Sequence, residues 1–144
     1  MNLSRIALAA LGDFVAYFVL GGLSFALFPS LKNEFLKYPA VYRTKAAMMG
    51  VMPVGMAAMF VGILMLAVIY AMLYRGASTI AEGACFGALF GALIGVFTIC
   101  AFVVHNYVNL NIGVKLTVGQ GAAYFVEWMV TGMVIGLIYR PVPH

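Results

Sequence analysis

The sequence predicts an all-α integral membrane protein: four transmembrane helices with a short interfacial segment between the first and second. Three observations carry this. Hydrophobic residues make up 65% of the 144 and charged residues only 8%, and the mean hydropathy of +1.08 lies outside the soluble globular class. The apolar runs are about 20 residues or longer, enough to cross roughly 30 Å of hydrocarbon as helix. Apart from Asp13, Glu82 and Glu127, the charged residues lie outside those runs. The length fits one domain, 1–144.

The first span is expected at about 6–28. A secretory signal would also set a basic residue, Arg5, ahead of apolar ones. Asp13 interrupts that run early, however, and apolar sequence continues to Phe28, so a span is the expectation. The polar connection PSLKNEFLKYPAVYRTK carries Lys32, Lys37, Arg43 and Lys45 against Glu34, interleaved with Phe35, Leu36, Tyr38 and Tyr42. Aromatics at headgroup level and snorkelling lysines suit a short helix on the membrane surface, broken at Pro39.

The second span, about 49–74, has Pro53 near its start, where proline is best tolerated. Met48, Met52, Met56 and Met59 lie on one side of it. Thioethers bind Cu(I), but methionine also fills gaps in apolar packing, and no second soft-ligand cluster accompanies the stripe. Packing is the expectation, with no metal and no cofactor.

A loop at 75–78 leads to the third span, about 79–104, with Ser78 or Thr79 as N-cap and Glu82 in the first turn. This span carries Gly83, Gly87, Gly91 and Gly95 at a strict spacing of four. In water each glycine would cost a helix about 1 kcal/mol relative to alanine. In lipid, small residues are the surface on which helices approach closely. Cys85 and Cys100 share this helix about 22 Å apart, too far to bridge. The fourth span, about 117–139, ends at Arg140, Pro141 and Pro143 and carries a second small pair, Gly132 and Gly136. Its small face lies nearly opposite Glu127, so two neighbours are expected, at least one able to come from another subunit. A homo-oligomer or a larger membrane complex follows as the expectation.

The glycine ladder drifts by about 40° per step, because four residues overshoot one turn. Extrapolated, its face meets Thr98, Phe102, Asn106 and Asn109 with His105 at the edge, a polar mouth at the membrane surface. Polar stripes stand elsewhere. Tyr17 and Ser24 fall within about 40° of Asp13, while Gln120, Tyr124 and Thr131 fall within roughly 60° of Glu127. These residues are the candidate proton, ion or ligand path. No lysine or arginine lies within the spans, so Glu127 at mid-depth is expected to hold its proton at neutral pH. Polar packing between helices is the alternative. It weighs equally for Glu127 and more heavily for Asp13, nearer interfacial water.

The formal charge of +4 comes from eight basic residues that form no tract, so nucleic acid is not an expected partner. Lys32, Lys37, Arg43, Lys45 and Lys115 against Arg5, Arg75 and Arg140 favour the long loop in the cytoplasm. No nucleophile elbow, P-loop, zinc spacing or dinucleotide fingerprint occurs, and His105 has no second histidine nearby, so no enzyme is expected.

STIAEGACFGALFGALIGVF, then HNYVNLN with Lys115, then GQGAAYFVEWMVTGMVIGLIY resemble a bacterial family of small four-span membrane proteins named "domain of unknown function 1761". The resemblance covers about 79–139, with a looser echo in FVLGGLSFALFP. It implies four helices in the bacterial inner membrane and carries no activity or site residue. The expected function is a scaffold or accessory subunit working by glycine-mediated packing, with a proton- or cation-coupled small-solute transporter or channel using Glu127 as the alternative.

Overall fold

The computed structural model describes residues 2–74 and 79–139, so expectations resting on Arg75, Ser78, Arg140, Pro141 and Pro143 lie outside the described residues. The chain is all-helical in the order α1 (Leu3–Leu27), α2 (Pro29–Leu36), α3 (Lys45–Leu73), α4 (Ile80–Thr98), a π-helical turn (Ile99–Val104), α5 (His105–Asn109) and α6 (Val114–Ile138). Among the described residues four helices are long and apolar enough to cross a membrane: Leu3–Leu27, Lys45–Leu73, Ile80–Asn109 and Val114–Ile138.

Local chemistry sets the ends. Asn2 Oδ1 accepts the Arg5 amide at 3.1 Å and starts α1. Pro29 stops it, since proline has no N–H and disfavours helix in the preceding residue, then serves as the first residue of α2. α2 ends at Leu36, before the expected break at Pro39. Thr44 caps α3 through the Ala47 amide. Because α3 begins earlier than expected, Pro53 falls inside it rather than in its first turn, which leaves the Met49 carbonyl without its helical donor. Thr79 and Glu82 form a reciprocal capping box on α4.

The closest helix pair is α4 against α6, antiparallel and joined through glycine. A Cβ added at Gly91 would collide with the Trp128 carbonyl oxygen, one at Gly87 with Gly132 O, and one at Gly136 with Gly83 O. Gly95 faces Phe125, whose Cα lies 3.2 Å from the position a Cβ would take. Gly83–Gly95 and Gly132–Gly136 therefore meet each other. α6 meets α4 on its glycine side and α1 on its polar side. Within the chain the two glycine faces therefore serve each other.

Tyr70 closes this crossing from α3. It is fully buried, donates its hydroxyl to Gly83 O at 3.2 Å, and places its ring 5.5 Å from both Phe86 and Phe90. Around it the core gathers Ile6, Ala9 and Ala10 of α1, Ile63 and Ala67 of α3, and Ile135 of α6.

Two further expectations are corrected. Past Gly95 the residues facing α6 are Ile99 and Val103, whose side chains lie 3.9 Å and 4.0 Å from a Cβ placed on Gly121. Phe102, His105 and Asn109 are exposed instead, with Asn109 bonded to the His105 carbonyl, so no polar mouth continues the ladder. The π turn is the reason. Its i→i+5 bonding advances each residue by a smaller angle than an α-helix does, so the face that meets α6 comes round later in sequence, at Ile99 and Val103 rather than Thr98 and Phe102. The methionine stripe is the second correction. Met48, Met52 and Met56 are exposed, and only Met59 packs against the core.

Candidate functional site

α1 and α6 run antiparallel, so their polar stripes confront one another. Gly12 lies against Ile138, Asp13 against Thr131, Tyr17 against Trp128, and Ser24 against Glu127. Each step along one helix matches a step back along the other. All six candidate path residues, Glu127, Asp13, Tyr124, Gln120, Thr131 and Tyr17, therefore lie along one interhelical seam. His105, Asn106 and Asn109 stand apart from it, beyond the π turn.

In the half of the seam nearer α2 is a cavity of about 400 Å³, lined on its polar side by Tyr17, Ser24, Gln120, Tyr124 and Glu127. Phe18, Phe25, Phe35 and Met52 complete the wall. Glu127 is buried, and its Oε1 accepts the Ser24 hydroxyl at 3.2 Å. Gly21 makes room, since a Cβ there would stand 3.8 Å from the same oxygen. Toward the loop end, Gln120 Nε2 donates to the Tyr42 hydroxyl at 3.4 Å, and Tyr38 Oη accepts the Gly113 amide at 2.9 Å. The segment between α2 and α3 is thus tied to the start of α6.

Asp13 is the more deeply placed acid. It has no exposed surface, and neither carboxyl oxygen has a hydrogen-bond partner. Thr131 faces it, but the Thr131 hydroxyl is committed to the Trp128 carbonyl at 3.2 Å. α1 starts at Leu3, earlier than the expected span, which sets Asp13 near the middle of a 25-residue helix. By helical rise that is about 15 Å from the start of α1.

Sequence reasoning missed Trp128, whose buried Nε1 also lacks a partner and whose ring centroid lies 5.2 Å from that of Tyr17. A lone tryptophan in an apolar run reads as interfacial, and only its position one residue after Glu127 could have flagged it. Tyr42 was equally hidden, being distant in sequence from Gln120. Among the described residues no three His, Cys, Asp or Glu side chains gather as a metal would require.

No protein-family model, curated protein or solved structure matches the chain. Fold and site define the class: an all-helical protein with four membrane-spanning helices, and a carboxyl-bearing cavity between the first and the fourth.

Proposed function

We propose that the protein is a small-solute transporter or channel, coupled to a proton or cation through Glu127. The observation that carries this reading is the cavity. A carboxyl that shares its wall with the rings of Tyr17, Phe18, Phe25, Phe35 and Tyr124 suits an organic cation, which is attracted both to the charge and to the aromatic faces. Asp13, deeper on the same seam and unpartnered, supplies a second group able to take up and release a proton. No catalysis and no cofactor enter this reading. The resemblance over 79–139 supports placing the chain in the "domain of unknown function 1761" family and in a bacterial inner membrane.

Proteoliposomes under an imposed pH gradient, offered tetraphenylphosphonium, provide the test. Uptake is expected with the native chain and is expected to fall to background with Glu127→Gln. Equal uptake in the two, or no uptake in either gradient direction, would sink the proposal.

One observation favours the scaffold or accessory-subunit reading, through α3 rather than the glycine ladder. From 45 to 58 every residue of α3 is exposed, and Gly50, Gly55 and Gly62 have nothing within 4 Å of an added Cβ. Single cysteines at Gly50 and Gly55, in a Cys85→Ala, Cys100→Ala background, are expected on this reading to give specific crosslinks in native membranes, to a second copy or to another protein. An uncrosslinked chain at both positions would remove its support.

A further inference from the structure

A second cavity, of about 480 Å³, lies beside the first, where the bend at Pro29 opens a gap between α1, α2 and α6. Its lining is largely apolar or small, with Leu31, Val118, Gly119, Ala122 and Val126. Val118 and Val126 are 65% and 50% exposed, so the groove opens sideways, toward the bilayer. From Lys115 to Val126 it runs about 16 Å by helical rise, half of the roughly 30 Å hydrocarbon thickness and so the depth of one leaflet.

The groove's outer end is charged. Glu34 Oε1 lies 2.6 Å from Lys37 Nζ and 3.5 Å from Lys115 Nζ, and both lysine side chains remain mostly exposed, at 60% and 78%. The hydrogen bond from Lys37 holds the Glu34 carboxyl below its ordinary value of 4.5, so it stays ionised at neutral pH. Two ammonium groups on one carboxylate leave a net positive charge at the headgroup level. Ser30 adds a hydroxyl to the lining.

We propose that this groove is a binding site for one anionic phospholipid, with the phosphate-bearing headgroup against Lys115 and Lys37 and one acyl chain along Leu31, Gly119, Ala122 and Val126. Charge selects the headgroup, because basic groups at the membrane surface draw anionic lipid. Groove depth selects a lipid over a free anion, because nothing short of an acyl chain fills an apolar slot one leaflet deep. The site goes beyond the transport reading, and Ser24, which donates to Glu127 Oε1, lines both cavities. Leu31, whose Cδ1 stands 2.8 Å from a Cβ placed on Gly119, lines both cavities and divides them.

Delipidated full-length chain, titrated in detergent with phosphatidylglycerol, phosphatidylcholine or inorganic phosphate and followed by native mass spectrometry, tests this. One phosphatidylglycerol per chain is expected, in preference to phosphatidylcholine. Lys115→Ala is expected to weaken that binding about fivefold, and Lys115→Arg to retain it. Ala122→Trp is expected to block the acyl chain while leaving both lysines in place, with far-UV circular dichroism confirming that the variant is folded. Equal binding of the two lipids, unchanged binding in Lys115→Ala, or displacement of phosphatidylglycerol by inorganic phosphate would each overturn the proposal. Retained binding in folded Ala122→Trp would overturn the acyl-chain placement.

Discussion

Gly91→Ala is expected to destabilise the protein by about 3 kcal/mol, the upper end of the range for overpacking. Gly55→Ala, on the same chain and in the same solvent, is expected to gain up to about 1 kcal/mol from helix propensity alone. The contrast follows from what each new methyl group would meet. At Gly91 it would collide with the backbone carbonyl oxygen of Trp128, with the Gly132 Cα only 3.0 Å away; at Gly55 nothing lies within 4 Å. A backbone oxygen inside a helix cannot step aside as a side chain can, so relief requires the two helices to separate. Separation forfeits dispersion contacts along the whole crossing, and in lipid those contacts are much of what holds helices together. Unfolding of purified protein in mixed micelles by added sodium dodecyl sulfate, followed by circular dichroism, measures both variants. Similar midpoints for Gly91→Ala and Gly55→Ala would show that α4 and α6 do not meet through glycine.

Asp13→Leu is expected to raise stability by about 1–3 kcal/mol while abolishing transport. Leucine branches at the same carbon as aspartate, so with slight relaxation of its neighbours it takes the same place and removes two buried oxygens that have no hydrogen-bond partner. Leaving such a group unsatisfied costs about 1–3 kcal/mol, which an apolar replacement of like shape recovers. Most core substitutions destabilise, so a gain here marks a group kept for something other than packing. The same micelle titration reads the stability change and proteoliposome flux reads the loss. Destabilisation by Asp13→Leu would mean that Asp13 has a polar partner in the membrane. Stabilisation with flux intact would remove it from the path.

The spans were legible because an apolar run long enough to cross lipid has few other uses. Their ends were less so. α3 and α6 begin at Lys45 and Val114, earlier than the apolar runs suggest, since lysine in a first helical turn can reach headgroups along its own stem while the backbone stays helical. That Tyr17 shares a face with Asp13, and Gln120 and Tyr124 one with Glu127, was readable from rotation alone, because each stripe belongs to one regular helix. What rotation could not give was partnership. A ladder of glycines states that a close neighbour exists, and nothing in Gly83–Gly95 says that the neighbour is Gly132–Gly136 rather than another chain. The π turn at Ile99–Val104 was also invisible, since no residue type in ICAFVV requires it. Every face extrapolated beyond it was therefore displaced. Nothing in the sequence around Tyr70 marks its role, in which its hydroxyl spans the gap to Gly83 O inside the bundle.

The hydrogen bond between Ser24 and Glu127 joins residues 103 positions apart, and this has a consequence for how the protein is made. Membrane chains are synthesised and inserted from the amino end, and contacts this distant must wait for the later partner. Until the fourth span arrives, the stripe of Asp13, Tyr17 and Ser24 on the first has no polar face to meet, and a buried carboxyl is left to lipid, water or the insertion machinery. The α4 and α6 pairing is nearer in sequence and free of charge, so it can form without the first span. Biogenesis is therefore expected to end, rather than begin, with closure of the seam that holds the site, and the last span to be delivered completes the environment of an acid in the first.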